Sequence, residues 1–294
     1  MSTVAVIAHS GKTLDGGLPA LRKALHERGV HDPLWLEVPK SRLAPKRVRS
    51  ALKQGADLIF VWGGDGMVQR CVDVVAGSNA TMAIVPAGTA NLFAANLGVP
   101  KHIEEAVEVG LHGKRRKLDL GSMNGERFAV MAGVGFDARV IRDATVKMKR
   151  ALGRNAYVWA AAKNLRVNTF EAQVEVDGKE WYEGPASLVL FGNVGEAFAG
   201  VKAFDDAQPD DGLLDIGVGS ADGVMQWGRT FARSKFSSAS KSPFVHVTKG
   251  RSIVVKLNRK VLYELDGGDR EKKRTFHVDV QPEAVRVCVP AGMS

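Results

Sequence analysis

Short apolar runs alternate with more polar segments through the first 121 residues of the chain. The apolar runs predict strands at 4–8, 34–38, 57–62, 82–85 and 117–121. The intervening segments, several of which end in glycine, predict helices at 16–29, 44–54, 67–76, 90–97 and 103–112. Strands that alternate with helices in this way favour a parallel sheet sandwiched by helices.

The pattern changes after residue 121, where short β-rich segments replace the alternation. Strands are predicted at 127–133, 171–177, 186–192, 213–218, 252–257, 261–265, 274–280 and 284–289. Two predicted helical stretches, at 138–167 and 222–236, interrupt these strands. Many short strands with turn signals are typical of a sandwich or a barrel. The sequence therefore predicts an α/β domain over residues 1–121 and a mainly β domain over residues 122–294.

Charge adds a preference for anionic partners. Lys and Arg number 41 and Asp and Glu number 32, which gives a net charge of +9. A basic chain favours contact with nucleotides, nucleic acid or acidic membrane surfaces. Because no aromatic and basic recognition motif accompanies this charge, nucleic acid is not a predicted partner.

Other classes of protein are disfavoured by what the sequence lacks. Cys71 and Cys288 are too few for a disulfide framework, which favours a reducing compartment. No basic leader precedes the first strand and no apolar run approaches membrane-spanning length, so we expect a cytoplasmic protein. Neither a histidine cluster with metal-ligand spacing nor a GxSxG motif is present, which disfavours metalloenzymes and serine hydrolases.

The first candidate for chemistry is the run Gly63-Gly64-Asp65-Gly66, which directly follows the predicted strand 57–62. Glycines at the carboxyl end of a strand let the backbone approach a phosphate closely. Asp65 could bind a metal ion or orient a water molecule. The alternative is an ordinary glycine-rich turn between a strand and a helix, since short glycine motifs recur by chance.

A second glycine-bearing segment, Gly88-Thr89-Ala90-Asn91, follows the predicted strand 82–85. Thr89 and Asn91 offer a hydroxyl and a carboxamide that could bond ribose, base or phosphate, or could serve as helix caps. Open α/β sheets bind ligands in a crevice at the carboxyl ends of their strands. The two segments are therefore predicted to converge on one crevice.

Together these motifs resemble the diacylglycerol kinase catalytic-domain family, which includes bacterial YegS-type lipid kinases and the sphingosine and ceramide kinases. The resemblance begins with Gly63–Gly66 and the segment Pro86–Pro100. It continues in the same order through Lys117–Gly121, Gly133–Asp137, Pro209–Asp215, Asp266–Gly268 and Ala284–Pro290. The motifs are weak singly, but the ordered set covers nearly the whole chain.

The resemblance implies ATP-dependent phosphorylation of a lipid hydroxyl, of the diacylglycerol or long-chain-base type. The implied fold is a Rossmann-like parallel α/β domain followed by a C-terminal β-sandwich, as in diacylglycerol and NAD kinases. The implied cofactors are ATP and Mg²⁺, with the nucleotide held between the two domains. A lipid substrate at the membrane surface is the implied partner, and a homodimer is left open.

The resemblance also assigns roles to individual residues. It implies phosphate or nucleotide binding by three loops, whose residues are Ser10, Gly11, Gly63, Gly64, Asp65, Gly66, Gly88, Thr89 and Asn91. Asp266 matches the family's general base, although an Asx-turn residue is the alternative from the residues alone. Asp65 and Asp119 match acidic positions of the active-site magnesium network. Asp211 and Asp215 belong to a loop that matches a second, structural metal region.

Several positions depart from the family pattern. Met67 and Arg70 replace a usual Thr and a frequent Glu after the first glycine motif. Leu92 replaces an Asp that often follows Asn91, and Gly268 replaces the Glu of the Asp-Gly-Glu motif. Two other functions therefore stay open, an NAD kinase-like enzyme and a catalytically impaired homologue that binds nucleotide or lipid.

Two segments are candidates for peripheral contact with the inner face of the membrane. One interleaves Trp227, Phe231 and Phe236 with basic residues, and the other places basic residues of 147–154 around Met148 and Leu152. Amphipathic helices of this kind can lie in a membrane interface. The alternative is burial of their aromatic residues against the β domain.

Overall fold

A computed structural model describes residues 3–135, 169–198, 201–220 and 245–292. The predicted helices at 138–167 and 222–236, and with them both candidate membrane segments, lie outside the described residues. The chain divides into two compact units, one formed by Met1–Leu120 with Pro282–Ser294 and the other by Gly121–Gln281.

The first unit is a parallel α/β unit. Its strands are β1 (Val4–His9), β2 (Leu34–Val38), β3 (Leu58–Gly63), β4 (Thr81–Pro86) and the first part of β5 (Lys114–Met123). Its helices are α1 (Gly17–Glu27), α2 (Ala44–Lys53), α3 (Asp65–Val75), α4 (Leu92–Asn96) and α5 (Ile103–His112). Strands β4, β3, β1 and β2 lie side by side in that order and are parallel.

Burial explains why these segments form the centre of a sheet. Every residue of β3 and β4 is buried, as expected for parallel strands covered on both faces. Helix α1 packs on α5, and α2 packs on α3. Gly110 of α5 lies so close to the Phe60 ring of β3 that a methyl group there would overlap it.

The second unit is antiparallel. Its strands are β6 (Glu126–Phe128), β7 (Met131–Val134), β8 (Phe170–Val176), β9 (Lys179–Ala186), β10 (Leu188–Gly192), β11 (Glu196–Phe198), β12 (Val201–Lys202), β13 (Leu214–Gly219), β14 (Val245–Gly250), β15 (Ser252–Leu265) and β16 (Gly268–Val289). Strands β14, β13, β10, β7, β15 and β16 are adjacent in that order, and β8 joins β15 to β9. This is the predicted β-sandwich, with Phe128, Phe191 and Phe276 fully buried in its core.

The sandwich differs from the predicted pattern in the limits and in the number of its strands. The predicted segments at 252–257 and 261–265 are one strand, β15, whose pairing with β16 shifts register between Lys256 and Val261. Strands β9, β11, β12 and β14 are not predicted. Strands β9 and β14 each have a fully buried residue only at the last position, so neither shows an apolar alternation, and β11 and β12 are only three and two residues long.

The end of the chain returns to the first unit, whereas the predicted second domain runs over 122–294. Residues 282–294 belong to the first unit, because Arg286 and Val287 of β16 pair in parallel with Thr81 and Met82 of β4. The other division between the two units falls between Leu120 and Gly121.

Two further findings bear on the sequence predictions. Cys71 and Cys288 are free and buried, as expected, and burial raises the pKa of the Cys71 thiol to about 12. Among the described residues, no helix combines the length and the apolar character that crossing a bilayer requires.

Candidate functional site

Three loops leave the first unit's sheet at the same edge. The strands before them are adjacent and parallel, with Ala8 beside Trp62 and Gly63 beside Pro86. Their carboxyl ends therefore lie together, as the sequence predicts. Among the predicted binding residues, Ser10 and Gly11 follow β1, and Gly88, Thr89 and Asn91 follow β4. Gly63 ends β3, Gly64 follows it, and Asp65 and Gly66 begin α3.

The second and third loops touch through two glycines. A Cβ atom built on Gly64 would lie 3.0 Å from Cα of Gly88, and one built on Gly88 would lie 2.6 Å from Cα of Gly64. Real Cβ atoms essentially never lie closer than 3.0 Å to another heavy atom, so Gly88 has no room for a methyl group. At Gly64 a methyl group would require the neighbouring backbone to shift by a few tenths of an ångström. Gly88 is therefore needed for the loops to meet this closely, and glycine at position 64 leaves the contact undisturbed.

Asp65 joins the same two loops. Its carboxylate accepts hydrogen bonds from the backbone N–H groups of Asn91, at 2.8 Å, and Leu92, at 2.5 Å. These N–H groups begin the short helix α4, so Asp65 caps that helix from a distance of 26 positions in the chain. The carboxylate thus fixes the third loop, and its predicted role at Mg²⁺ stays a prediction.

Asn91 holds the third loop from within. Its side-chain oxygen accepts the N–H of Gly88 at 2.7 Å and its side-chain nitrogen donates to the Gly88 carbonyl at 2.9 Å. Its backbone is left-handed, with φ at 52°, which asparagine tolerates better than most residues. Asn91 is buried, whereas Thr89 is exposed at the edge of the sheet.

The first loop is anchored by a residue that sequence reasoning did not select. Nδ1 of His9 accepts the N–H of Gly11 at 3.2 Å, and the Ser10 hydroxyl donates to the Val38 carbonyl at 3.3 Å. Ser10 and Gly11 are both exposed. The imidazole of His9 therefore closes the first loop.

Met67 and Arg70, which depart from the family pattern after the first glycine motif, lie in different environments. Met67 is buried and packs against Gly63, where it fills the core. Arg70 is exposed on α3. Gly66 is exposed in the first turn of α3, and a Cβ atom there would meet nothing within 4 Å. Arg70 and Gly66 can therefore meet a ligand, whereas Met67 cannot do so without repacking.

In the second unit, Asp266 forms a two-residue turn with Gly267 between β15 and β16. Both residues have positive φ, 46° and 78°, a geometry that Asp-Gly favours in hairpins. The Asp266 carboxylate accepts three backbone N–H groups, from Ala129 at 2.8 Å, Val130 at 2.9 Å and Met131 at 3.0 Å. These three hydrogen bonds hold the carboxylate in a fixed position. They come from a segment far away in the sequence, whereas the Asx-turn that the sequence left open is a local contact.

Glu264, which the sequence predictions did not include, supports this turn. Its side chain accepts the N–H of Gly267 at 2.7 Å and is 2% exposed. Burial raises the pKa of Glu264 to about 8, and the negative charges of Asp266 and Asp269 act in the same direction. No local pattern signals this residue, since it continues a strand whose neighbours Tyr263 and Leu265 are also buried.

The pH dependence of stability should report this buried carboxyl group. Between the unfolded pKa of 4.5 and the folded value of about 8, the folded chain holds a proton that the unfolded chain has released. The free energy of unfolding should therefore fall by roughly 2–4 kcal/mol as the pH rises from 5 to 8. The Glu264→Gln variant, measured by urea denaturation, should lose that decrease.

A matched control is Glu175→Gln, which removes an exposed carboxylate from β8. This control should keep the decrease seen in the original chain. Equal pH profiles for the Glu264→Gln variant and the original chain would show that Glu264 does not titrate in this range.

The space where the family has its motif glutamate is taken by arginine. A Cβ atom on Gly268 would lie 2.9 Å from Nη1 of Arg270, which also donates to the Gly268 carbonyl at 3.0 Å. Nε of Arg270 pairs with Glu126 at 2.7 Å. A side chain at position 268 would therefore have to displace Arg270.

Asp119 is buried in β5 and its carboxylate accepts the N–H of Glu283 at 2.8 Å. Glu283 has φ at 49° and also pairs with Lys117. Asp119 thus holds Glu283, the residue of β16 whose backbone is left-handed. Within the described ranges, no group of three or more His, Cys, Asp or Glu side chains could hold a metal ion. The magnesium roles of Asp65 and Asp119 stay predictions.

A lysine from β14 contacts the loop that is predicted as a second metal region. Nζ of Lys249 lies 3.1 Å from Asp211 and 3.3 Å from Asp215 and donates to the Asp206 carbonyl at 2.8 Å. Burial lowers the pKa of Lys249, but hydrogen bonds and attraction from the two carboxylates outweigh it and leave the pKa raised. Burial raises the pKa of Asp215 despite the nearby ammonium group.

A parallel α/β unit with three loops at the carboxyl edge of its sheet, together with a β-sandwich unit, is the fold of diacylglycerol kinases and NAD kinases. Residues 3–123 match the family model of the diacylglycerol kinase catalytic domain. Residues 130–289 match that of the YegS C-terminal NAD kinase beta sandwich-like domain. The chain belongs to the diacylglycerol kinase catalytic-domain family, whose members are phosphotransferases that act on an alcohol group.

Individual relatives agree with this assignment. The chain is 30% identical over 261 residues to the "Probable lipid kinase YegS-like" of Pseudomonas aeruginosa, covering 85% of this chain and 82% of the relative. It is 31% identical over 189 residues to a "Diacylglycerol kinase" of Mycobacterium tuberculosis, covering 62% of this chain and 61% of that one. The fold resembles a diacylglycerol kinase of Bacillus anthracis strain Sterne, with a TM-score of 0.77, 22% identity, and coverage of 98% and 97%.

Proposed function

We propose that this chain transfers the γ-phosphoryl group of ATP to the hydroxyl group of a lipid, of the diacylglycerol or long-chain-base type. The observation that carries the proposal is the meeting of the second and third loops at the carboxyl edge of the sheet, where Gly64 touches Gly88 and Asp65 caps α4. Exposed backbone at such an edge suits phosphate groups.

Phosphoryl transfer depends mainly on positioning and on neutralising charge, so a rigid loop pair supports this chemistry. In the proposed reaction the three loops hold the phosphates, and Asp266 accepts the proton of the attacking lipid hydroxyl. Bound Mg²⁺ would neutralise phosphate charge, with Asp65 as the candidate ligand. A single carboxylate is compatible with that role because protein-bound Mg²⁺ commonly keeps water and phosphate oxygens as its other ligands.

The proposal is tested by supplying labelled ATP and Mg²⁺ to the purified chain with an acceptor panel in mixed micelles. The panel contains diacylglycerol, monoacylglycerol, ceramide, sphingosine, phosphatidylglycerol, undecaprenol and NAD. We expect phosphate to appear on a lipid and not on NAD. Formation of NADP without a lipid product would favour an NAD kinase-like enzyme, and ATP binding without any product would indicate an impaired homologue.

The Gly66→Ala variant separates an effect on ATP binding from an effect on folding. Nothing in the fold opposes a methyl group at this helical position, so the variant should be at least as stable as the original chain. If phosphate approaches the start of α3, the methyl group should weaken ATP binding about tenfold, a cost of about 1.4 kcal/mol. Unchanged ATP affinity, measured by calorimetry, would place the phosphates elsewhere.

A further inference from the structure

The loop that precedes β13 is strongly acidic. It includes Asp205, Asp206, Asp210 and Asp211, and Asp215 follows inside β13. The family resemblance implies that a metal ion balances this charge. The side chains of Asp211 and Asp215 instead contact the ammonium group of Lys249, which lies on the neighbouring strand β14.

The contacts of Lys249 match the full bonding capacity of an ammonium group. Such a group has three N–H donors and no acceptor. Its three oxygen neighbours are the Asp206 carbonyl at 2.8 Å, Oδ2 of Asp211 at 3.1 Å and Oδ2 of Asp215 at 3.3 Å. The other oxygen of Asp211 accepts the N–H of Leu213 at 3.0 Å, which turns the loop toward the lysine.

A divalent cation does not fit this arrangement. Mg²⁺ and Ca²⁺ need about six or more oxygen ligands at roughly 2.0–2.6 Å. Here the ammonium nitrogen already lies among the carboxylate and carbonyl oxygens that such an ion would use. A second cation at that point would also be repelled by the charge of Lys249.

The position of Lys249 is set by strand register. Asp215 and Lys249 are directly opposite each other in the antiparallel pair β13 and β14. The Asp215 side chain is only 7% exposed, and those of Asp211 and Lys249 are 24% and 30% exposed. Because Asp215 is buried, removal of its cationic partner would leave a poorly solvated charge.

We propose that the ammonium group of Lys249 substitutes permanently for a divalent cation in this loop, so that residues 205–215 fold without bound metal. The lysine supplies one positive charge and three directed hydrogen bonds from within the chain. This inference does not depend on the proposed kinase activity, because it concerns the folding of the second unit.

The Lys249→Met variant tests the proposal in nucleotide-free protein, with melting followed by circular dichroism. Methionine keeps the apolar stem and removes the ammonium group. In EDTA the variant should melt about 5–10 °C below the original chain. Excess CaCl₂ should restore at least half of that loss in the variant and leave the original chain within about 1 °C of its value in EDTA.

The Lys256→Met variant is the matched control, because Lys256 forms an exposed ion pair with Glu175 in the same unit. Its melting temperature should not respond to CaCl₂. Calorimetric titration with CaCl₂ assigns the site, since the Lys249→Met variant should bind Ca²⁺ and the Lys249→Met/Asp211→Asn double variant should not.

Two results would overturn the proposal. One is a rise in melting temperature with CaCl₂ that is as large in the original chain as in the Lys249→Met variant. The other is a Lys249→Met variant that neither responds to Ca²⁺ nor binds it. If the variant can be purified only with Ca²⁺ present, unfolding after addition of EDTA supports the proposal, and retention of structure opposes it.

Discussion

The Asp266→Asn variant should phosphorylate lipid about 10²–10⁴-fold more slowly than the original chain, the range that loss of a general base produces. Asparagine tolerates the left-handed backbone of position 266, so the turn can be retained. Its amide oxygen can still accept hydrogen bonds from Val130 and Met131. Its amide nitrogen, however, takes the place of one carboxylate oxygen. There the nitrogen would either face the N–H group of Ala129, which is also a donor, or occupy the position that must accept the proton of the lipid hydroxyl.

Stability must be measured beside turnover, because the same carboxylate holds three backbone N–H groups. The Asp266→Ala variant leaves those groups without the carboxylate and should lose about 3–6 kcal/mol of unfolding free energy. The Asp266→Asn variant should lose less. A large decrease in kcat with a small decrease in melting temperature supports a catalytic role, whereas equal turnover in the folded Asn variant would contradict it.

The Asp279→Asn variant is the control for this experiment. Asp279 is an exposed carboxylate on the same strand, β16, and accepts a hydrogen bond from Ser252. Its replacement removes the same charge from the unit without touching the Asp266 turn. Turnover should therefore stay within about twofold of the original chain, a change of about 0.4 kcal/mol in activation free energy.

The Gly88→Ala variant should bind ATP roughly 100-fold more weakly, a loss of about 2.8 kcal/mol, because the added methyl group displaces a proposed binding loop. The added methyl group would overlap Oδ1 of Asn91 and Cα of Gly64, each 2.6 Å away. Relief of this overlap must separate the second and third loops or break the hydrogen bonds of Asn91. Calorimetric titration with ATP and Mg²⁺ measures the effect directly.

The Gly292→Ala variant is a glycine-to-alanine control, since a methyl group at position 292 meets nothing within 4 Å. It should bind ATP as the original chain does. If the folded Gly88→Ala variant also kept its ATP affinity, the contact between the two loops would have no part in binding nucleotide. If the Gly88→Ala variant lost both ATP affinity and global stability, its ATP affinity would be compared with that of the original chain under conditions in which equal fractions of both are folded.

Much of the fold could be predicted from the sequence. The predicted strand 34–38 and helix 103–112 agree with β2 and α5 residue for residue. The α/β domain followed by a β-sandwich is confirmed, as is membership of the diacylglycerol kinase family. Buried parallel strands carry continuous apolar runs, and glycine marks where chains turn, so both signals are local.

Edge strands and element limits were harder to predict. Strand β9 contains Gly184 and Pro185 and alternates poorly, so its pattern does not distinguish it from a loop. The first glycine motif was predicted to end before its helix, but Asp65 and Gly66 form the first turn of α3. Propensity rules place such limits only to within a few residues.

The sequence by itself determined the order of elements, the family and the places where glycine loops follow strands. Only the tertiary structure decided how the acidic residues are used, with Asp65 as a cap for α4, Asp266 bound by amides 135–137 positions away and Lys249 opposite Asp215. Apolar periodicity and turn chemistry act between near neighbours in the chain. The partners of a buried carboxylate depend instead on strand register and on which backbone N–H groups packing leaves unpaired.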